Sequence, residues 1–244
     1  MTTTMGIRQR LNLSRLYLCT DLRTEKGDFF DFVRAVFAGG VDLLQVRDKK
    51  AAPEAVAEAI SEVRRMAPMR SLVVVNDSPQ IAGGCQADVL HIGQDDMPPG
   101  EARGYLHDHA LIGRSTHSVE QADAANADGD VDYFCVGPVH ATPTKPTYVP
   151  VGLDLVRHAA RIAPPFARDA KPWFAIGGIN AGTLEPILDA GARRIVVVRA
   201  LTQASDPETA ARELRTRLDE AWAEGRTEAE QMRDAWTPGT EGRD

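Results

Sequence analysis

Short apolar runs recur along the chain roughly every 25 residues, and stretches with an apolar period near 3.6 fill most of the intervals. The runs predict strands at Leu16–Cys19, Leu43–Val46, Leu72–Val75, Val89–Ile92, Leu111–Gly113, Tyr133–Val136, Trp173–Ile176 and Ile195–Val198. Each run is almost continuously apolar, as strands covered on both faces should be. Helices are predicted at Phe29–Phe37, where Phe29, Phe32, Val33 and Val36 share a face, and at Pro53–Met66, which opens with a proline where a missing N–H costs little. Ser118–Ala127 begins at a serine cap, and Leu153–Ile162, Thr183–Ala190 and Pro207–Glu224 complete the set. Gly39, Gly40 and Gly191 stand where helices should stop. Eight strands alternating with helices predict an α/β protein, a single (β/α)8 TIM barrel, with a doubly wound open sheet as the alternative because local pattern does not show closure. Residues 1–14 read as an N-terminal extension, 15–224 as the barrel, and the polar residues 225–244 as a flexible, disordered tail. Two connections, Gly137–Val151 and Ala163–Pro172, are long and lack a helical pattern, which is common in binding loops.

The length of 244 residues suits one barrel, for which about 250 is typical. A net charge of −7 argues against a nucleic-acid partner, so an anionic substrate would need a local basic cluster. No apolar run approaches the roughly 18 residues of a membrane span, and residues 1–14 lack the apolar stretch of a signal peptide. These features predict a soluble, cytoplasmic protein. Cys19, Cys85 and Cys135 are scattered, without a CxxC pair for zinc, and Cys19 and Cys135 read as buried thiols. His107 and His109, flanking Asp108, read as an exposed polar loop.

The chemistry-bearing residues follow the strands, where barrel active sites are built. The second strand runs on as Gln45-Val46-Arg47-Asp48-Lys49, and alternation puts Gln45, Arg47 and Lys49 on one side, inside the mouth of a barrel. Inward cations there require either a ligand or internal salt bridges to Asp77 or Asp96. Asn76-Asp77 ends the third strand and Gln94-Asp95-Asp96 follows the fourth. Each alone reads as a turn or cap, but Asp77 and Asp96 on adjacent strand ends together make a candidate Mg²⁺ site. His91 is expected in the mouth as a hydrogen-bonding side chain. Ser115, ending the fifth strand, either donates to phosphate or caps a turn. Thr142-Pro143-Thr144-Lys145 offers two hydroxyls and an ammonium on a proline-stiffened loop, suited to an anion and equally to an ordinary surface loop. Gly177-Gly178 after the seventh strand lets backbone amides approach a phosphate. Carboxylates for a hard cation and bases for phosphate point to chemistry on a diphosphate.

The stretches LLQVRDK, VVVND, VLHIGQDDMP, IGRSTHS, DYFCVGPVHATPTKP and AIGGIN, in this order across about residues 15–201, resemble the thiamine phosphate synthase family. The resemblance implies a (β/α)8 barrel, a homodimer, and a transferase that joins hydroxymethylpyrimidine diphosphate to a thiazole phosphate with release of pyrophosphate. It assigns Gln45, Arg47, Lys49 and Asn76 to the pyrimidine diphosphate, and Asp77 and Asp96 to Mg²⁺. Ser115 and Lys145 would hold the departing pyrophosphate, with Arg47 stabilising its charge. Thr142, Thr144 and Gly178 would hold the thiazole phosphate, together with the turn after the eighth strand, Val198-Arg199. Arg199 and His140 depart from the family pattern, which usually has a small serine and an apolar residue there. Two other readings are a related barrel that isomerises the thiazole phosphate and a non-catalytic barrel that reports phosphate ligands. Retention of the diphosphate and cation residues favours the synthase.

Overall fold

The structure, a computed structural model, describes residues 6–142 and 149–236, with side chains to residue 231. Eight strands, β1 Leu16–Thr20, β2 Leu43–Val46, β3 Leu72–Asn76, β4 Val89–Ile92, β5 Leu111–Thr116, β6 Tyr133–Val136, β7 Trp173–Ile176 and β8 Ile195–Val197, pair in parallel with their sequence neighbours. β8 pairs back onto β1 through Leu16 opposite Ile195 and Leu18 opposite Val197, closing the barrel. The helices are α1 Ile7–Leu13, α2 Phe29–Ala38, α3 Pro53–Met66, α4 Pro79–Gly84, α5 Pro99–Ala102, α6 Val119–Ala127, α7 Gly152–Ile162, α8 Leu184–Asp189, α9 Arg199–Thr202 and α10 Pro207–Trp236.

Period-two alternation divides the apolar residues into two cores. Leu18, Leu44, Val46, Val73, Val75, Leu90 and Ile112 face outward and pack with the helices. Tyr17, Leu43, Leu72, Val74, Val89, Leu111, Tyr133, Phe174 and Val196 face inward and fill the barrel's lower half. Inward-facing polar side chains such as Gln45 and His91 therefore gather toward its carboxyl-terminal end. The amino-terminal end is closed by α1, whose Leu11 is fully buried in the inner core. Residues 7–13 of the segment set aside as an N-terminal extension thus pack as a plug, a role that three apolar residues in seven do not announce.

Several boundaries differ from expectation. β5 runs on to Thr116 because Arg114, Ser115 and Thr116 pair with Phe134, Cys135 and Val136, and polar residues gave no strand signal. α4, α5 and α9 are too short to show a period. The last helix does not stop at Glu224 but continues to Trp236, so the expected disordered tail is helical as far as that residue. Gly225 lies in the helix where Phe166 and Arg193 crowd the backbone, with an added Cβ 2.7 Å from Phe166 Cε2. Beyond it, strong helix formers and an Arg226–Glu230 pair carry the helix on. Residues 237–244 lie outside the described residues. Among the described residues, no helix is long and apolar enough to cross a membrane.

Candidate active site

A cavity of about 350 Å³ opens at the carboxyl ends of the strands. Its floor is a chain of hydrogen bonds. The Tyr17 hydroxyl donates to Gln45 Oε1 at 2.8 Å, and Gln45 Nε2 donates to Asn76 Oδ1 at 2.7 Å. The Tyr17 and Tyr133 hydroxyls stand 3.2 Å apart, Tyr133 meets His91 Nδ1 at 3.0 Å, and His91 Nε2 meets Ser115 Oγ at 2.9 Å. Burial pushes both tyrosines well above their ordinary pKa, so they serve as neutral hydroxyls. Gln94 Nε2 holds the Ser115 carbonyl at 2.6 Å. The strand register puts Cys19 beside Gln45, Asn76 beside His91, and Ser115 beside Cys135, which gathers these side chains into one layer.

Arg47, half-buried, also lines the cavity, but Lys49 does not. The expected alternation breaks at Asp48, whose carboxylate accepts from the amides of Leu22, Lys50 and Ala51 and turns the chain. Lys49 is therefore exposed, and its charge acts instead on Asp77. Among the described residues no carboxylate lies within 4 Å of Arg47 or Lys49, so internal salt bridges do not account for them.

Asp77 and Asp96 come together beside the cavity. The Asp77 amide donates to the His91 carbonyl at 2.9 Å, and Gly93 N donates to Asp96 Oδ2 at 2.6 Å. Asp77 adopts φ +61°, a left-handed conformation that aspartate tolerates better than most residues. Burial raises the pKa of Asp77 above the usual carboxylate range. A hydrogen bond shared with the Asp96 carboxyl and the Asp96 charge add to this, against smaller pulls from a hydrogen bond to the Asn76 side chain and from the Lys49 charge. Two carboxylates forced together in this way suit a small hard cation, which would relieve the repulsion. Among the described residues no third His, Cys, Asp or Glu joins them. Asp95 is exposed.

The opposite wall is largely backbone. Gly177 and Gly178 line it with φ +110° and +67°, and a Cβ on Gly177 would lie 2.4 Å from Pro138 Cα. Only glycine lets the loop after β7 pack this closely on the loop after β6. Thr142, Val198 and Arg199 also line the cavity. Arg199 opens α9, and Glu208, an acid on the following helix α10, pairs with Arg212 instead. Thr144 and Lys145 lie outside the described residues.

The structure thus brings Gln45, Arg47, Asn76, Ser115, Thr142, Gly178, Val198 and Arg199 to one cavity, with Asp77, Asp96 and Lys49 beside it. The sequence reading missed Tyr17, Tyr133, His117, Asn180 and Gln203. The tyrosines lay inside apolar runs and passed for core. His117 could have been found by its place one residue beyond β5, and its Nδ1 donates to the Gly137 carbonyl.

A closed parallel barrel with a polar cavity at the carboxyl ends of its strands defines a (β/α)8-barrel enzyme. Residues 16–201 match the thiamine monophosphate synthase family, and the chain belongs to that family, a family of transferases. A thiamine-phosphate synthase of Saccharopolyspora erythraea is 52% identical over 219 residues, covering 87% of this chain and 96% of the relative. One from Thermobifida fusca is 50% identical over 213 residues, covering 87% and 95%. Among solved structures, thiamine phosphate pyrophosphorylase from Pyrococcus furiosus is similar with a TM-score of 0.73 at 29% identity, covering 88% of this chain and 99% of that one.

Proposed function

We propose that this chain couples hydroxymethylpyrimidine diphosphate to hydroxyethylthiazole phosphate, or its carboxylated form, giving thiamine phosphate and pyrophosphate. The observation that carries this reading is one cavity with two polar sides. Gln45, Arg47, Asn76 and Ser115 stand on one, and Thr142, Gly178 and Arg199 on the other. In this reading the amides of Gln45 and Asn76 orient the pyrimidine, while Arg47, Lys49, Ser115 and Lys145 hold its diphosphate. Thr142, Thr144, Gly178, Val198 and Arg199 hold the thiazole phosphate.

The reaction is dissociative. The bond between the pyrimidine methylene carbon and the diphosphate oxygen breaks, and its electron pair leaves with pyrophosphate. The thiazole nitrogen then forms the new bond to the methylene cation. Arg47 and Lys145 stabilise the growing negative charge, and Ser115 donates to it. Apolar walls at Cys19, Ile176 and Val196 limit the water that would otherwise trap the cation. Asp77 and Asp96 are the residues that would hold Mg²⁺, which when bound neutralises charge on the diphosphate.

The test is pyrophosphate release in the presence of Mg²⁺. Release matched by formation of thiamine phosphate when both substrates are present is expected, and release without thiamine phosphate, or none, overturns the reading. The reading also includes a homodimer in the cytoplasm.

A further inference from the structure

We infer that His91 is a positioning residue that sets the direction of the Ser115 hydroxyl, with Tyr133 holding His91 for that purpose. This rests on the function proposed above, in which Ser115 donates to pyrophosphate.

The inference follows from counting protons along the cavity floor. Tyr17 spends its proton on Gln45 Oε1, and Gln45 spends an amide proton on Asn76. The Tyr133 proton has two places to go, Tyr17 at 3.2 Å or His91 Nδ1 at 3.0 Å. Ser115 has one proton. When His91 Nε2 is bare, Ser115 donates inward to it across 2.9 Å and turns only lone pairs to the cavity, which repels an anion. When His91 Nε2 carries a proton, it donates to Ser115 Oγ and the serine proton is free to point at the anion. A neutral His91 then has a bare Nδ1, which takes the Tyr133 proton. An anion in the cavity therefore selects the Nε2–H form of His91, and Tyr133 can satisfy the other nitrogen in either state.

The surroundings hold this arrangement in place. Tyr133 is fully buried, and its ring packs edge-on against Tyr17 and Phe174 with centroids 6.3 and 5.6 Å away. It passes over Gly113, where a Cβ would lie 2.0 Å from Tyr133 Cζ, so the neighbouring strand is cut back to admit it. A Ser–His contact also occurs in nucleophilic catalysis, but there a carboxylate orients the histidine. Here the partner of Nδ1 is a phenol, which donates or accepts as the state of His91 requires.

A double-mutant cycle with Ser115→Ala tests the inference. His91→Leu and Tyr133→Phe should each lower kcat by about tenfold, the scale of one hydrogen bond to a charged group, with KM for the thiazole phosphate unchanged. In the Ser115→Ala background neither should cause a further loss. His91→Gln, which keeps an amide N–H near Nε2, should recover part of the His91→Leu loss. Losses that multiply with Ser115→Ala, or an unchanged kcat, overturn the inference while wild-type turnover leaves the proposed function standing. Absence of wild-type turnover with both substrates overturns both. Tyr133→Phe keeps the buried ring, so the cycle remains decisive if His91→Leu does not fold.

Discussion

Asp77 shows how a single residue trades stability for chemistry. Its folded pKa is raised by burial and by Asp96, so its ionised form is the disfavoured one. Its stabilising contribution is complete below the unfolded carboxyl value of about 3.9 and is lost as pH rises through the raised folded value. At pH 7.5 in EDTA, Asp77→Asn should therefore raise the melting temperature, by about 2–4 °C if the relief is near 1 kcal/mol. Mg²⁺ should raise the wild-type midpoint and leave that of Asp77→Asn unmoved, while Asp77→Asn loses most of its turnover. Scanning calorimetry with and without Mg²⁺ checks both, and a lower midpoint for the variant in EDTA would contradict the account. Arg199 poses a different question. It lines the cavity with no carboxylate within 4 Å among the described residues. Arg199→Ala should raise KM for the thiazole phosphate roughly tenfold and leave kcat and the KM for the diphosphate alone, the signature of binding lost equally from ground and transition states. Steady-state kinetics with each substrate varied decides it.

At the scale of elements, α10 fastens the end of the barrel remote from the cavity. Two guanidinium groups lie over the Trp222 ring, Arg15 at 4.6 Å and Arg194 at 4.7 Å from its centroid, with Phe166 edge-on at 5.1 Å. Arg194 is buried, and among the described residues no carboxylate pairs with it. It donates to the Ser14 and Asn12 carbonyls at the end of α1, and burial together with the Arg15 charge pulls its pKa down to about 9. The tryptophan face compensates part of that burial. Trp222→Ala should cost about 3 kcal/mol in urea unfolding and leave kcat of the folded enzyme near wild type, because the site is at the other end. The stretch after Gly225 should behave in the opposite way. Arg226, Thr227, Glu228 and Glu230 are exposed, and an exposed i,i+4 pair is worth only about 0.3–0.5 kcal/mol. Ending the chain at Gly225 should leave both melting temperature and kcat nearly unchanged. A fall of several degrees would show that residues beyond 225 dock.

The whole molecule is one closed barrel whose inner face changes character along its axis. The lower half is apolar and plugged by α1, and the upper layer is polar. That division makes the mouth a place where convergent polar groups from several strands meet a cavity. The proposed homodimer belongs to this scale too. Light scattering should give twice the chain mass of 26.5 kDa, and a mass of one chain would remove the dimer from the proposal.

Much of this was legible in the sequence, for a physical reason. Strands buried on both faces must be apolar throughout, so all eight stood out, and parallel connections require helices between them. Side chains in the last residues of a strand or just past it are placed by the strand itself, which is why Gln45, Arg47, Asn76 and Ser115 could be named beforehand. What the sequence could not carry was set by pairing across distance. Lys49 looked like the third member of an inward row, but Asp48 turned the chain by accepting amides from Leu22 and from its own neighbours. Tyr17 and Tyr133 looked like core, and only strands on opposite sides of a closed barrel make them the link between Gln45 and His91. Asp77 and Asp96 each looked like a cap, and their mutual contact, which raises one pKa, exists only because β3 and β4 are neighbours. Local pattern determines which residues are strand, helix and strand end. Closure of the barrel decides which strand ends face each other, and that decision makes the site.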